Sequence, residues 1–153
     1  MKKKFRLAWR FIILNEKDEI LLVKQKNNWA IPGGGIDFWE DLISTIARES
    51  KEELWIEAQM DKIIFMQDFI SCKNEKLKHH FEVFCTIKNN KDFENVIKTY
   101  KNSSHSYELR DAKWFSIDNF PENFLPIKLK EVLKNFLKDK NNFCVKYHLA
   151  INW

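Results

Sequence analysis

Cysteine, glycine and proline are scarce in this sequence, with three residues of each among 153. The cysteines Cys72, Cys85 and Cys144 are odd in number and lack metal-ligand spacing, which predicts reduced thiols in a cytosol. No linker segment and no internal repeat interrupts the chain. We therefore expect one domain over residues 1–153, with a core large enough to need no disulfide or structural metal.

An apolar run long enough to cross a membrane is also missing. The basic start, residues 1–4, could be mistaken for a signal peptide, but Arg6 and Arg10 interrupt the apolar stretch that follows and no cleavage site is found. The net charge of +4 suits anionic small molecules and falls short of a nucleic-acid-binding tract. With 44% hydrophobic and 31% charged residues, the composition is that of a soluble globular protein, which we expect to be mature and cytoplasmic.

Three carboxylates, Glu49, Glu52 and Glu53, lie close together in a segment that is predicted to be helical. Their i, i+3 and i+4 spacing places them within an arc of roughly 100° on one face of the helix. At an exposed site, like charges at this spacing repel by roughly 0.2–0.5 kcal/mol per pair. A bound cation converts that repulsion into coordination, and Mg²⁺ or Mn²⁺ takes oxygen ligands. The spacing therefore predicts a metal site.

The segment around these carboxylates resembles the Nudix box, the signature of the Nudix hydrolases, or MutT-like phosphohydrolases. Residues 29–35 also resemble the family's entry into the box. The resemblance covers most of the chain and implies an α/β fold, the Nudix-type α/β/α sandwich with a mixed β-sheet between helices. The positions that match the family pattern in type and spacing are Gly34, Glu40, Arg48, Glu49, Glu52, Glu53 and Ile56.

Two positions depart from the family pattern. Ser50 stands where the family has an apolar residue, and Trp55 stands where it has the glycine that follows the helix. In the family, that glycine serves as a left-handed cap, a conformation that costs a non-glycine residue roughly 1–2 kcal/mol. Because a large aromatic residue rarely persists where it is both strained and unpacked, we expect the helix to continue through Trp55. Neither departure removes a predicted ligand.

Strands interleaved with two helices independently predict a mixed sheet packed between helices. Residues 29–37 are expected to form a loop, since Pro32 and three consecutive glycines disfavour regular structure. The tail, residues 141–153, has no predicted element. Strands are predicted over residues 5–14, 19–26, 63–70, 77–88 and 107–116.

The first predicted helix covers residues 42–54, with Asp41 as its N-cap. The second begins at Pro126. The predicted buried stripe of the first helix consists of Ile43, Ile46, Ala47 and Leu54, with Ser50 as its polar member. The predicted apolar face of the second helix consists of Leu129, Val132, Leu133, Phe136 and Leu137.

The resemblance implies hydrolysis of a diphosphate linkage with Mg²⁺ or Mn²⁺ as cofactor. Such a cation neutralises phosphate charge and activates a water, whose proton passes to a carboxylate, with Glu53 or a loop carboxylate as the base. Glu108 resembles the acidic residue that a late strand of the family brings to the metals, and the alternative is a solvated strand end. The candidate metal ligands are Gly33 through its carbonyl, Glu40 directly or through a water, Glu49, Glu52, Glu53 and Glu108; the candidate catalytic residues are Glu49, Glu52, Glu53 and Glu108.

Seven residues are candidates for substrate binding. Arg48 could contact phosphate, but one turn from Glu52 it is better explained as an ion pair that orients carboxylates. Lys26 matches a phosphate-binding position of some relatives, and the alternative is a solvated surface lysine. Aromatic side chains offer stacking faces to a base, although most aromatics in this chain are expected in the core. The candidates are Lys26, Trp29, Trp39, Arg48, Phe120, Asn123 and Phe124.

Two of these candidates have specific arguments. Trp39 immediately precedes Glu40, where the family has glycine, so a loop indole is expected to overhang the site. Asn123 lies near the position at which a relative recognises the purine edge. The four histidines lack a ligand-like arrangement and are expected to be structural or exposed: His79, His80, His105 and His148.

The resemblance also limits the substrate. Branches of the family that cleave ADP-ribose or dinucleoside polyphosphates often carry a proline or tyrosine shortly after the box, and here no proline lies between Pro32 and Pro121 and no tyrosine before Tyr100. A MutT-like nucleoside triphosphate pyrophosphohydrolase is therefore favoured, with an ADP-ribose or ADP-sugar pyrophosphatase as the alternative. An RNA 5′-pyrophosphohydrolase and a non-catalytic nucleotide-binding module rank lower. The expected partner is a small nucleotide rather than a membrane or, apart from an RNA 5′ end, a nucleic acid; a homodimer is allowed.

Overall fold

The computed structural model describes residues 1 to 153. Eight strands, three α-helices and several short 3₁₀ turns make up the chain. The strands are β1 (Lys2–Ile12), β2 (Ile20–Gln25), β3 (Asn28–Ala30), β4 (Gly33–Gly35), β5 (Met60–Lys73), β6 (Lys76–Ile87), β7 (Asp111–Phe115) and β8 (Lys146–Asn152). The α-helices are α1 (Leu42–Leu54), α2 (Val96–Thr99) and α3 (Ile127–Lys138).

The strands form two sheets. The larger sheet has the order β4-β1-β6-β5-β8, and the smaller sheet has the order β3-β2-β7. β1 pairs with β6 and β5 pairs with β8 in parallel, whereas the β1–β4 and β5–β6 pairs are antiparallel. The larger sheet is therefore mixed, as predicted, and the smaller one is antiparallel.

Alternate residues of the sheets enter two separate cores. Phe11 packs in one core with Ile46 and Leu54 of α1, whereas its neighbour Ile12 packs in the other core with Leu133 of α3. Successive side chains of a strand point to opposite faces, so this alternation follows from the period of two. Each face is covered by one of the two long helices, which confirms the predicted α/β/α sandwich.

Helix α3 follows the prediction closely. It begins directly after Pro126, which lacks the N–H that a helix start leaves unpaired. The predicted apolar face is buried at Leu129, Val132, Leu133 and Phe136, and Leu137 packs against the same core.

No helix in the structure is both long and apolar enough to span a membrane.

The prediction of a loop over residues 29–37 is wrong. Asn28–Ala30 and Gly33–Gly35 are short strands, and the three glycines pair antiparallel with β1. Gly33 has a φ of 140°, and a Cβ at that position would lie 2.1 Å from the carbonyl oxygen of Trp9. The missing side chain therefore lets this backbone pair tightly with β1, an advantage that local propensity does not reveal.

Two other segments differ from the prediction. Of residues 107–116, only Asp111–Phe115 forms a strand, and Ser106–Glu108 is a 3₁₀ turn, so Glu108 precedes the strand instead of lying on it. The unassigned tail forms β8, which extends the larger sheet alongside β5. That strand becomes important for the cavity described below.

Helix α1 begins at the predicted residue, Leu42, directly after the predicted N-cap. The Asp41 carboxylate accepts the Ser44 N–H at 2.8 Å, while the Ser44 hydroxyl oxygen accepts the Asp41 N–H at 3.1 Å. These two bonds form a capping box, which satisfies amide groups that the first turn leaves free. The sequence therefore fixes where the carboxylate-bearing helix begins.

The buried stripe of α1 is only partly as predicted. Ile43 is 65% exposed, because the helix is rotated so that Leu42 packs against the core in its place. Ser50 is fully buried within the stripe; it accepts the Ala58 N–H at 2.7 Å and donates to the Ala47 carbonyl at 3.1 Å. The hydroxyl therefore has a partner both as hydrogen-bond donor and as acceptor, which explains why a polar residue is tolerated in this buried position.

The expectation that α1 continues through Trp55 is wrong. The helix ends at Leu54, and Trp55 has a φ of 71° and a ψ of 1°, with its N–H donating to the Lys51 carbonyl at 3.1 Å. The indole is 56% exposed. The left-handed cap is thus kept even though tryptophan replaces glycine, and the strained residue gains only partial packing in return.

Candidate active site

A cavity of about 960 Å³ is lined by the larger sheet, including its glycine strand β4, and by the C-terminal half of α1. Glu49 and Glu53 of α1 line it together with Glu108 from the 3₁₀ turn. The fold therefore collects carboxylates from two distant segments around one concave space. Four cationic side chains line the same cavity: Arg6, Arg10, Lys26 and Lys128.

Glu53 is the most deeply buried carboxylate of the site, with 2% exposure. It accepts the Gly33 N–H at 3.2 Å and an N–H of the Gln25 amide at 3.4 Å. Burial raises the pKa of Glu53 to about 8, although the positive charge of Arg10 acts in the opposite direction. A carboxylate held at this cost suits either proton transfer or a bound cation.

Glu49 lies directly against the glycine strand. A Cβ placed on Gly34 would meet the Glu49 carboxylate at 2.3 Å, so the absence of a side chain at residue 34 makes room for the carboxylate. Burial raises the pKa of Glu49, while its hydrogen bond from Arg48 acts in the opposite direction. The glycine of the box therefore has a direct steric role beside this carboxylate.

Arg48 holds three of the box carboxylates. Its guanidinium donates to Glu40 at 2.6 Å, to Glu49 at 2.9 Å and to Glu52 at 3.0 Å, and also to the Gly35 carbonyl at 3.2 Å. The hydrogen bond from Arg48 lowers the pKa of Glu40 to about 2. Arg48 is absent from the cavity wall, so its substrate-binding role is not supported and the ion-pairing explanation is the one that the geometry matches.

The predicted metal ligands are not assembled into one cluster. The structure contains no group of three or more His, Cys, Asp or Glu side chains that is arranged to hold a metal. Glu40 and Glu52 lie outside the cavity wall and are occupied by Arg48. The donors that do face the cavity near Glu53 are carboxylate and carbonyl oxygens, which fit a hard divalent cation. Such a cation would also offset the cost of burying Glu53.

Arg10 is a site residue that sequence reasoning missed. Its guanidinium donates to the carbonyls of Gly33 and Ile31, at 3.0 and 3.3 Å, and forms a 3.1 Å salt bridge with Glu82. The Gly33 carbonyl, a candidate ligand, therefore already accepts one hydrogen bond and keeps its second lone pair. The sequence did contain one signal for this role, since Arg10 is a charged residue within the apolar run of β1.

His105 was expected to be structural or exposed, and the structure gives it a structural contact beside the site. Its Nδ1 lies 3.3 Å from Glu52 and 3.9 Å from Glu108, and its backbone N–H donates to the Glu52 carbonyl at 2.8 Å. It therefore links the end of α1 to the turn that carries Glu108. Nothing in the sequence near His105 indicated that contact, which depends on the tertiary fold.

The structure separates the predicted substrate-binding residues. Lys26 lies on the cavity wall. Trp29, Phe120 and Phe124 are buried in the core, with exposures of 7%, 7% and 3%, so none of the three rings has a face free to stack on a base. The prediction that these three residues bind substrate is therefore corrected, because their rings are packed in the apolar core.

Trp39 and Asn123 also lie away from the cavity wall. Trp39 is fully exposed, with a left-handed φ of 74°, and does not overhang the site as expected. The Asn123 amide donates to the Asn27 carbonyl, and the Asn123 carbonyl accepts the Trp29 N–H at 3.2 Å, so Asn123 closes a loop. Neither residue is positioned in this structure to contact a nucleotide in the cavity.

The far wall of the cavity was not predicted at all. It includes side chains of β5, β6 and the tail strand β8, among them His80 and His148, which were expected to be structural or exposed. β5 and β6 form a hairpin, whereas β8 pairs with β5 across a long sequence separation, so no local pattern joins β8 to this wall. The residues of this wall are Gln67, Phe69, His80, Glu82, Phe84, His148 and Ala150.

Solved structures of known proteins share this fold. An ADP-ribose pyrophosphatase from Streptococcus suis superposes with a TM-score of 0.61 and 20% identity, over 95% of this chain and 98% of that one. The MutT protein of Methanosarcina mazei gives a TM-score of 0.64 and 21% identity, over 93% of this chain and 99% of that one. A MutT NUDIX hydrolase from Burkholderia pseudomallei gives 0.61 and 19%, over 86% and 97%.

The sequence itself is similar to one known protein and to one protein family. An RNA pyrophosphohydrolase from Ruthia magnifica subsp. Calyptogena magnifica is 36% identical over 52 residues, which cover 33% of this chain and only 29% of that protein. A much longer match, to the NUDIX domain, extends over residues 4–139 and includes every carboxylate described above. Because that match spans most of the sequence, the chain belongs to the Nudix family.

Proposed function

We propose that this protein hydrolyses a diphosphate linkage in a nucleoside diphosphate derivative, with Mg²⁺ or Mn²⁺ as cofactor. As a Nudix protein it is a hydrolase that acts on diphosphate bonds. The observation that carries the proposal is that one cavity is lined by the buried Glu53, by the part-buried Glu49 and by four cationic side chains. Acidic side chains can hold a metal ion and cations can hold phosphates, and a phosphoryl-transfer site requires both.

Although no three acidic side chains already surround one point, Glu49, Glu53, Glu108 and Gly33 line the cavity, and the three carboxylates and the Gly33 carbonyl are the groups that would hold the cation. When bound, the cation supplies charge neutralisation on phosphate oxygens and activation of a water. Arg48 positions the Glu49 carboxylate through its 2.9 Å hydrogen bond. Arg10 and Lys26, on the wall of the cavity, would contact the phosphate oxygens of the substrate.

Glu53 would accept the proton of the attacking water. The carboxylate must be ionised to act as a base. Burial raises the pKa of Glu53 to about 8 in the metal-free protein, and a bound cation would favour the ionised form. Hydrogen bonds from Gly33 and Gln25 hold its carboxylate in place. Its orientation is therefore fixed by the fold, and the cation would supply the charge that keeps it ionised.

A MutT-like nucleoside triphosphate is the favoured substrate. Similarity in fold to MutT proteins from Methanosarcina mazei and Burkholderia pseudomallei supports this choice, as does the absence of the proline and tyrosine markers after the box. ADP-ribose is the second candidate, supported by the fold similarity to the Streptococcus suis ADP-ribose pyrophosphatase over nearly the whole of both chains.

A nucleotide panel with Mg²⁺ tests the proposal. Nucleoside triphosphates, ADP-ribose and a 5′-triphosphate RNA are assayed for release of phosphate, pyrophosphate or nucleoside monophosphate. We expect metal-dependent turnover of a triphosphate and a loss of at least ~10² in kcat for Glu53→Gln, the lower range for general-base catalysis. Glu57→Gln, an exposed change of the same kind, is the matched control. Absence of turnover on the whole panel, or near-wild-type turnover in Glu53→Gln, would reject the proposal.

A further inference from the structure

The sheet face that lines the reaction cavity continues beyond it, and there it carries a group of exposed cations. The even-numbered residues of β1 from 2 to 6 are cationic, and their partners on the parallel strand β6 include Lys76 and Lys78. On the other side of β6, β5 adds Lys73 opposite Lys76. Because register partners share a face, all of these side chains point to the face on which Arg6 lines the cavity. The six cations of this surface, the lysine face, are Lys2, Lys4, Arg6, Lys73, Lys76 and Lys78.

This arrangement is unfavourable for the free protein. Neighbouring strands lie about 4.8 Å apart, which is well within the Debye length of about 8 Å at physiological salt. Lys4 and Lys78 lie directly opposite each other, and like charges in that position destabilise a sheet. None of the six cations forms a salt bridge within the protein. A surface that serves solubility alone mixes both signs of charge, so this one points to an anion outside the protein.

The acidic residues nearby do not neutralise the lysine face. Glu82 lies on the same face of the sheet but is held in a 3.1 Å salt bridge by Arg10. Asp68 points to the opposite face, where it contacts His79. Glu75 lies in the turn between β5 and β6 and pairs with no cation at this end of the sheet. The positive charge of the face is therefore free to act on a ligand.

His80, at the border between the lysine face and the cavity, registers that charge. Burial lowers the pKa of His80, and the positive charges of Arg6, Lys4 and Lys78 lower it further, although Glu82 acts in the opposite direction. Cations on both neighbouring strands therefore act on one point of the sheet. The positive potential extends from the lysine face to the edge of the reaction cavity.

A second cavity, of about 570 Å³, opens over the lysine face. Lys73, Lys76 and Lys78 line it, and Phe69 lines both this cavity and the reaction cavity, so the two spaces adjoin. Trp153 lies on the same wall and is 78% exposed, which leaves an aromatic ring free beside the lysines. A cationic groove with an aromatic side chain is how proteins hold a single nucleic-acid strand, with phosphates on the cations and a base on the ring. A flat lipid surface does not enter such a recess.

We propose that the lysine face binds a single-stranded polynucleotide, with phosphates on the lysines and a base stacked on Trp153. The bound phosphates relieve the repulsion between lysines that the free protein has to tolerate. A net charge of +4 does not reveal the site, because the sheet collects its cations from three separate segments. The inference goes beyond the proposed hydrolysis and does not depend on it, since binding is measured without turnover.

Binding of labelled oligonucleotides tests the proposal. Oligo(U) and oligo(dT) of about 12 nucleotides, within the usual range of single-strand sites, are titrated by fluorescence anisotropy at several salt concentrations. For about three to six phosphate contacts, a plot of log affinity against log salt concentration should have a slope of about −2 to −4. The triple variant Lys4→Gln/Lys76→Gln/Lys78→Gln should bind at least about ten-fold more weakly and reduce the size of the slope by about 2.

The matched control removes the same charge elsewhere. Lys91→Gln/Lys98→Gln/Lys101→Gln changes three lysines that are also exposed and form no salt bridge, and it should bind almost as tightly as the wild type. The triple variant of the lysine face should melt no lower than the wild type, because it removes repulsion. Loss of binding therefore reports on the surface and not on unfolding.

Trp153→Ala separates a polynucleotide from other polyanions. Loss of base stacking should weaken binding of both oligonucleotides roughly five- to one-hundred-fold and leave the salt slope unchanged. Tighter binding of oligo(U) or of oligo(dT) identifies the natural strand as RNA or DNA. An equal loss in the control triple variant, or binding that Trp153→Ala does not weaken, overturns the proposal. Association with vesicles of anionic lipid but with neither oligonucleotide also overturns it and shows a membrane surface instead.

Discussion

Glu53 carries the clearest energetic cost among the residues of the site. Its carboxylate is 2% exposed, and burial raises its pKa to about 8 from an ordinary value of 4.5. Between these two pH values the folded protein holds a proton that the unfolded chain has released. The contribution of Glu53 to stability is therefore fully present below pH 4.5 and is lost as the pH rises to about 8.

Glu53→Gln should remove the loss of stability that the wild type shows as the pH rises to about 8. In metal-free protein at pH 8 we expect the free energy of unfolding to rise by at least about 1 kcal/mol, because a neutral amide replaces a buried charge. At pH 4.5 the gain should be much smaller. Urea unfolding with a chelator at both pH values measures it, and Glu57→Gln should show no such difference. A variant that is less stable than the wild type at pH 8 would contradict burial as the cause.

Arg48 contacts carboxylates of the box and lies off the cavity wall. Its planar fork reaches Glu40, Glu49 and Glu52 at the same time, which a lysine ammonium cannot reproduce. For Arg48→Lys we expect the Mg²⁺ concentration at half-maximal activity to rise about 10- to 100-fold, as for other residues that orient ligands. KM for the nucleotide at saturating Mg²⁺ should change little. Exposed Arg110→Lys is the control, and an unchanged Mg²⁺ requirement would reject the assignment.

At the scale of elements, local signals predicted α1 and could not predict β4. The capping box at Asp41 and Ser44 and the apolar period define α1 within the sequence itself. The strand Gly33–Gly35 exists because β1 lies beside it, and only its partner supplies the hydrogen bonds. The same reason hid the 3₁₀ turn that carries Glu108, because that turn is held by the nearby His105 rather than by strand periodicity.

The end of α1 provides a prediction at this scale. Trp55 occupies a left-handed cap at φ 71° with its indole 56% exposed. Trp55→Gly should raise the free energy of unfolding by up to ~1–2 kcal/mol, less the packing that the indole provides. Trp55→Ala keeps a Cβ and should bring no gain. Denaturant unfolding gives the sign, and destabilisation by glycine would show that indole packing outweighs the backbone strain.

Trp39 allows the same test without the packing contribution. It has a φ of 74° and is fully exposed, so its replacement removes strain alone. Trp39→Gly should therefore stabilise the protein by about 1–2 kcal/mol, at least as much as Trp55→Gly. KM for the nucleotide should stay unchanged, because the residue lies off the cavity wall. An increase in KM would restore Trp39 to the substrate-binding residues.

At the scale of the molecule, the two ends of the cavity differ in how far the sequence reveals them. The carboxylate end depends on α1, where Glu49 and Glu53 are related by helical spacing. The opposite end depends on β5, β6 and β8, whose residues meet only after the sheet has formed. Gln67 and His148 are neighbours in register although 81 residues separate them, so a single sequence offers no pattern that joins them.

Strand β8 gives the last prediction, because it lines the cavity without contributing to either core. None of the buried core residues belongs to it, whereas His148 and Ala150 lie on the cavity wall. A chain that ends after Cys144 keeps Phe143 against α3 and should still unfold cooperatively. Its KM for the nucleotide should rise several-fold with a smaller change in kcat, since the carboxylate end is intact.

The newly exposed edge of β5 could pair with other molecules, which would complicate the truncation. Ala150→Trp in the full-length chain avoids that problem, because it fills the same part of the cavity and leaves the edge covered. We expect both variants to raise KM, measured by steady-state kinetics beside circular dichroism. A folded truncated chain with wild-type KM would show that the nucleotide does not reach the wall formed by β5 and β8.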